Sequence, residues 1–166
     1  MNMDILLNDL KVIISAGGSG IGKTILESFH ASGAKIATCD INPDLVKTLK
    51  DDYPDIYAEV VDVSDEHAVE SFCSNALEKL GGLDCLINNA GIAGPTSKIE
   101  EIGTADWAEC LNICLTSQFL LIKNCVPKLR LSENASIINL SSAAGRMGFA
   151  LRSPYAAAKW GVIGLT

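Results

Sequence analysis

Six residues, Gly17-Gly-Ser-Gly-Ile-Gly22, constrain this chain more than any other stretch. They follow Lys11-Val-Ile-Ile-Ser-Ala16, a β-branched apolar run that predicts a buried strand. They lead into Ile21, Ile25, Leu26 and Phe29, which recur at helical spacing up to a stop at Gly33. A tight glycine turn between a strand and a helix leaves the first N–H groups of the helix unpaired and facing outward. That setting holds phosphate.

The same alternation continues down the chain. Ala34 to Asp40 predicts a second strand that ends in an acid, and Pro43 to Asp52 a short helix with proline in its first turn. Ile56 to Asp62 predicts a third strand. Asp65 to Leu80 predicts an amphipathic helix, with Ser64 or Asp65 as cap and Gly81-Gly82 as stop. Leu83 to Asn88 is a fourth strand and Asn89 to Pro95 a loop. From Thr104 to Leu131 the residues Trp107, Leu111, Leu115, Phe119 and Ile122 run at helical spacing, and Pro127 suggests a bend or an end. Ser136 to Leu140 is a fifth strand, and a closing helix begins near Pro154. Strands alternating with helices imply right-handed βαβ units. The expected fold is α/β, a doubly wound parallel sheet with ligands beyond the carboxyl ends of its strands. One domain over residues 1–166 is the natural size.

Composition narrows the function. The net charge is −7 and no lysine or arginine cluster occurs, which argues against a nucleic-acid surface. The start, Met1 to Lys11, has acids and no basic segment, so it does not read as a signal peptide. No apolar run approaches the ~20 residues that cross a bilayer. Six cysteines, Cys39, Cys73, Cys85, Cys110, Cys114 and Cys125, include no Cys-x-x-Cys. Cys110 and Cys114 lie one helical turn apart, but the two histidines, His30 and His67, are remote in sequence, so no metal site is expected. Reduced thiols fit a cytoplasmic protein better than a disulfide framework.

The glycine turn itself admits two chemistries. Gly17-x-x-x-x-Gly22-Lys23-Thr24 matches a P-loop, in which Lys23 reaches the β/γ-phosphates, Thr24 holds Mg²⁺ and Asp62 offers a second ligand. Alternatively, Gly20 and Gly22 admit a dinucleotide pyrophosphate, and Asp40 accepts hydrogen bonds from ribose hydroxyls. Glycines serving only the turn geometry, with Asp40 a solvated strand-end acid, is the plain structural alternative.

A second constellation bears on the choice. Tyr155 and Lys159 are one helical turn apart, on one face of the closing helix. A lysine ammonium beside a phenol favours the phenolate, and a tyrosine so placed passes a proton. Ser142, after the fifth strand, is positioned to hydrogen-bond the same substrate oxygen. Such a relay serves an alcohol or a carbonyl and needs a partner that moves a hydride. A phosphate-hydrolysing enzyme has no evident use for it.

In these ordered motifs the chain resembles the short-chain dehydrogenase/reductase family over nearly its whole length. Ser15-Ala-Gly-Gly-Ser-Gly-Ile-Gly22 is similar to the family's Thr-Gly-x-x-x-Gly-x-Gly cofactor loop, Asp62-Val63 to its adenine-contacting pair, and Asn88-Asn-Ala-Gly91 to the element beside the cofactor. Asn112 falls on the helix asparagine, and Ser142, Tyr155 and Lys159 on the remaining catalytic positions. The resemblance implies a Rossmann fold and places Ser15, Gly17, Ser19, Gly20, Ile21, Gly22, Asp40, Ile41, Asp62, Val63, Asn89, Ala90, Gly91, Tyr155 and Lys159 at the cofactor. Tyr155 is then the general acid/base, Lys159 its modulator and ribose ligand, Ser142 the group that polarises the substrate oxygen, and Asn112 the holder of a water chain. An acid at Asp40, with no cation at Ser19 or Ile41, selects NAD over NADP.

The expected activity is interconversion of a secondary alcohol and a ketone. The alternatives are a catalytically silent dinucleotide-binding chain and an NADPH-type 3-oxoacyl thioester reductase, against which Asp40 argues. Ser15-Ala16 departs from Thr-Gly, and Gly17 is expected to supply the lost flexibility. The family also implies further C-terminal strands and a substrate-covering segment beyond Thr166. The small-molecule substrate pocket is expected from the loop after Gly91 and from Arg146 to Ser153. Homo-oligomers, tetramer or dimer, are implied through the two long helices.

Overall fold

In the computed structural model, which describes residues 7–166, the β-branched runs become one parallel sheet. The strands are β1 (Lys11–Ser15), β2 (Lys35–Asp40), β3 (Tyr57–Val60), β4 (Cys85–Asn88) and β5 (Ser136–Asn139), in the order β3-β2-β1-β4-β5. Residues 1–6 of the stretch read for a leader lie outside the described residues. The helices are α1 (Gly20–Ala31), α2 (Pro43–Asp52), α3 (Glu66–Leu80), α4 (Thr104–Leu111), α5 (Ser117–Leu129) and α6 (Ser153–Leu165). The doubly wound sheet expected from the alternating pattern is the fold observed. Among the described residues no helix is long and apolar enough to cross a membrane.

Helices cover both faces, so alternate residues of a strand enter different cores. Val12 and Ile14 of β1 pack with Leu26, Ile36, Val46, Leu49 and Ile87 on the α1/α2 side. Ile13 packs with Phe72, Leu86 and Leu121 on the α3/α5 side. Local caps fix where the helices start. The Asn42 side chain accepts from the Asp44 N–H at 2.9 Å ahead of Pro43. Asp65 accepts from the N–H groups of His67 and Ala68, and Gly81 closes α3 in the left-handed region at φ 65°. Strands β3 and β4 are shorter than their apolar runs. Asp84, next to β4, turns its carboxylate onto the Lys11 N–H at 2.9 Å.

The helix expected as one piece from Thr104 to Leu131 is interrupted. Asn112–Thr116 forms a π turn between α4 and α5, in which the Ser117 N–H donates to the Asn112 carbonyl. Such a turn carries one extra residue, so the buried face is displaced along the sequence. Cys110, Cys114, Ser117, Leu121 and Cys125 are buried, while Trp107 and Phe119 of the 3.6-residue pattern are exposed. Pro127 lies inside α5, which ends at Leu129.

All six thiols are free and buried. Burial pushes the Cys39 thiol up to about 12 and Cys110 to about 11. Cys73, which accepts a hydrogen bond from Cys125, is also raised. Protonated thiols of this kind pack as small apolar groups.

Candidate active site

The switch in strand order falls between β1 and β4. The chain leaves β1 toward β2 on one side and leaves β4 toward β5 on the other, so the loops after them part and leave a crevice. A cleft of about 590 Å³ opens there, bordered by Ala16, Ser19, Ile21, Gly22, Asp40 and Asn89 from one group of loops and by Ser142, Phe149, Arg152, Tyr155 and Lys159 from the other. The sequence motifs therefore converge on one site.

The floor is a brace between β1 and β4. Ser15, fully buried, accepts at its Oγ from the Asn89 N–H at 3.0 Å and the Ala90 N–H at 3.1 Å. Asn89 Nδ2 donates to the carbonyls of Ser15 and Ala16, each at 3.0 Å. Ser15 was expected among cofactor contacts. Its hydroxyl is spent inside the sheet, so it shapes the cleft without lining it.

At the start of the turn the left-handed residue is Ala16, at φ 54°, and not Gly17, which was expected to supply the flexibility. An alanine there carries about 1–2 kcal/mol of strain from Cβ against the carbonyl. Ala16→Gly relieves that strain and adds unfolded-chain entropy worth about 0.5–1 kcal/mol in the opposite direction. The strain term is the larger, so the variant is expected to gain about 0.5–1 kcal/mol in a urea titration.

Beyond Ala16 the chain enters α1 with no acid in its first turn and no side-chain cap from Ser19. Gly20, at φ 52°, has open space where a Cβ would stand. The first N–H groups of α1 are thus available to an anion. Asp40, 8% exposed at the end of β2, holds the turn by accepting from Gly18 N–H at Oδ2 and from Asn42 N–H at Oδ1, both at 3.0 Å. Each oxygen keeps a further lone pair. Ile41 is exposed beside it. A smaller recess of about 140 Å³ joins Asp40 and Ile41 to Asp62, Val63, Ala90, Gly91 and Ile113, and no lysine or arginine borders it. Asp62 accepts from the Ser64 N–H at 2.9 Å, which fixes the loop.

The P-loop geometry is not formed. Lys23 points along α1 toward Glu27 at 4.0 Å and does not border the cleft, and Thr24 Oγ1 donates back to the Gly20 carbonyl at 3.1 Å.

At the other side, α6 presents Tyr155 and Lys159 together. Lys159 is 4% exposed, and its Nζ donates to the Leu140 carbonyl at 2.8 Å and stands 5.7 Å from the Tyr155 ring centroid. Its backbone carbonyl accepts from Ser141 Oγ at 2.8 Å, which ties α6 to the end of β5. Ser142 Oγ accepts from the Ala144 N–H at 3.2 Å, which leaves its own hydrogen free for another acceptor. Ser15, Gly17 and Gly20 line neither the cleft nor the recess beside it, and neither does Asn112. It opens the π turn with an exposed side chain, and only its neighbour Ile113 reaches the recess.

Two groups escaped the sequence reading as site members, Ser141 and the Leu140 carbonyl, while Arg152 lies within the Arg146 to Ser153 stretch expected to form the substrate pocket.

A profile of the family described as short chain dehydrogenase matches residues 11–166. Levodione reductase of Leifsonia aquatica is 34% identical over 164 residues, 95% of this chain and 61% of that protein. Trans-4-hydroxycyclohexanecarboxylate dehydrogenase of Sinomonas cyclohexanicum is 36% identical over 167 residues, 93% of this chain and 62% of that protein. The structure of a 7α-hydroxysteroid dehydrogenase complexed with NADH and 7-oxo glycochenodeoxycholic acid superposes with a TM-score of 0.91 at 28% identity, covering 99% of this chain and 66% of that one. The chain thus spans about three fifths of the length of the curated relatives it matches.

Proposed function

Because this chain belongs to the short-chain dehydrogenase family, we propose that it carries the dinucleotide-binding and proton-transfer parts of an NAD-dependent oxidoreductase that interconverts a secondary alcohol and a ketone. One observation carries the reading: Tyr155, Lys159 and Ser142 border the same cleft as the uncapped α1 N-terminus and Asp40. A nicotinamide dinucleotide, when bound, supplies the hydride acceptor or donor. The residues fit such a group. The first turn of α1, free of acids, suits its pyrophosphate, Asp40 suits a ribose diol, and the Asp62–Val63 recess suits an adenine. Ile21, Asn89, Ala90 and Gly91 complete the walls.

The chain's own chemistry is proton handling. Tyr155 Oη takes the proton from the substrate hydroxyl in oxidation and returns it in reduction. Ser142 donates its free hydrogen to the same oxygen and holds it in place. Lys159 has a single donor spent on Leu140, so two remain for the phenol and a ribose hydroxyl. Its buried charge stabilises the negative charge that develops at the phenol. Asn112 enters as holder of a water chain on its place at the π turn, a feature frequent at functional sites. Substrate entry is assigned to the loop after Gly91 and to Phe149 and Arg152, which border the open side. Buried free thiols support a reducing, cytoplasmic setting. Exposed Trp107 and Phe119 on the long helix and Trp160 and Ile163 on α6 support a homo-oligomer.

Cofactor choice rests on Asp40, whose carboxylate repels a 2′-phosphate and accepts from a 2′-hydroxyl. Titration of tryptophan fluorescence with NADH and NADPH is expected to show about tenfold or more preference for NADH. Asp40→Asn is expected to weaken NADH and strengthen NADPH until the two bind within about threefold of each other. Equal affinities in the wild type sink the assignment.

A further inference from the structure

We propose that Arg152 is a specificity residue that seats a carboxylate on the substrate, so that the alcohol oxidised here is a hydroxy acid. The inference deepens the dehydrogenase reading and rests on it. Arg152 is the N-cap residue of α6, half-buried, with its guanidinium carbon 5.6 Å from the Tyr155 ring centroid and its side chain on the cleft wall. A guanidinium has five N–H donors. Among the described residues it finds one side-chain partner, Thr96 Oγ1 at 2.7 Å from Nη1, and its buried Nε has none. No carboxylate of the described residues pairs with it, although the chain carries a net charge of −7.

An unpaired buried donor on a cation is costly, and the group that best satisfies it is a carboxylate held through two parallel N–H···O bonds. The surroundings favour the same ligand. α6 starts directly after Arg152 with no acid in its first turn, so the positive end of its dipole adds to the guanidinium charge. Ile92, Ala93 and Phe149 make the remaining wall apolar, so no neighbouring side chain there competes for the guanidinium. The cofactor phosphates do not claim this arginine, because they already have the first turn of α1. An anion seated on Arg152, next to Tyr155, would therefore belong to the molecule whose proton Tyr155 carries.

The competing role is a strap. Thr96 bonds Arg152, and the Ser97 N–H donates to the Leu151 carbonyl at 3.0 Å, so the arginine joins the loop after β4 to the start of α6. The two roles separate by substrate charge. Arg152→Gln keeps an N–H for Thr96 and removes the charge, and Arg152→Lys keeps the charge and removes the fork.

Oxidation of 4-hydroxycyclohexanecarboxylate and other hydroxy acids of graded length by NAD is compared with oxidation of the matching primary amides. The wild type is expected to prefer acid over amide by about tenfold or more in kcat/KM. Arg152→Gln brings the ratio to about one, mainly through KM, and Arg152→Lys retains part of the preference. An unchanged ratio in Arg152→Gln, or equal losses on acid and amide, overturns the proposal and leaves the dehydrogenase reading standing. If no alcohol is oxidised, cyclohexanecarboxylate and its amide are compared by thermal shift. A rise in Tm with the carboxylate that is absent in Arg152→Gln upholds the anion site while the dehydrogenase reading fails. Equal responses of the two proteins overturn the site as well.

Discussion

Tyr155→Phe is expected to lower the oxidation of any secondary alcohol accepted by the wild type by about 10²- to 10⁴-fold, the range of a lost general acid/base. The fold should not register the change. Tyr155 Oη makes no hydrogen bond among the described residues, and the ring packs in the small cluster of Cys110, Cys114 and Ala158, where phenylalanine fits equally well. Stability in urea is expected to stay within about 0.5 kcal/mol of wild type, the ordinary scatter for a substitution that breaks no contact. NADH affinity should also be kept, since the α1 turn and Asp40 are untouched. The loss then appears in kcat and kcat/KM together, the pattern of an interaction made only in the transition state. Retained turnover would falsify the proton-carrier role and leave Ser142 as the nearest alternative hydroxyl. Loss of NADH binding with loss of turnover would mean that the phenol serves the cofactor and not the proton.

The parts of this site that were readable in the sequence are those fixed by local chemistry. Gly81 after α3, Asp65 before it and Pro43 at the start of α2 act within one turn of the residues they cap, so their effect is visible at short range. Asp40 and the glycine turn were readable because a strand that ends in an acid and a helix that begins after glycines each imply a direction. The parts that were not readable depend on what the fold brings from far away. Ser15 looked like a cofactor ligand until β4 arrived beside β1 and supplied two N–H groups to its hydroxyl. Gly17 looked like the flexible position, but the pull of Asn89 on the Ala16 carbonyl coincides with the left-handed turn one residue earlier. The π turn at Asn112–Thr116 breaks the 3.6-residue period on which the long helix was read, and Phe119, beyond it, emerges on the outside. Periodicity reports a face only while the hydrogen-bond spacing stays constant.

Gly22→Ala is expected to cost about 2–4 kcal/mol of stability and to weaken NADH binding by more than about tenfold. The reason lies in what the methyl meets. A Cβ on Gly22 would run into the Ala16 carbonyl oxygen and come within 2.5 Å of Asn89 Nδ2. Neither can retreat freely. The carbonyl is backbone at the end of β1, and Asn89 Nδ2 is held by two carbonyls at 3.0 Å. Relief requires α1 to move away from the β1–β4 junction, which breaks the Asn89 bonds, at about 1 kcal/mol each, and turns the first N–H groups of the helix from the cleft. Gly20→Ala provides the contrast. Gly20 has no atom within 4 Å of a Cβ but sits at φ 52°, so alanine there is expected to cost only the left-handed strain, about 1–2 kcal/mol, with little effect on NADH. Urea titrations and NADH fluorescence on the two variants separate the causes. If Gly22→Ala is no less stable than Gly20→Ala and binds NADH as well, close approach of α1 to the sheet is not what this glycine provides, and the turn's hold on the dinucleotide must come from Asp40 and the loop after β4 instead.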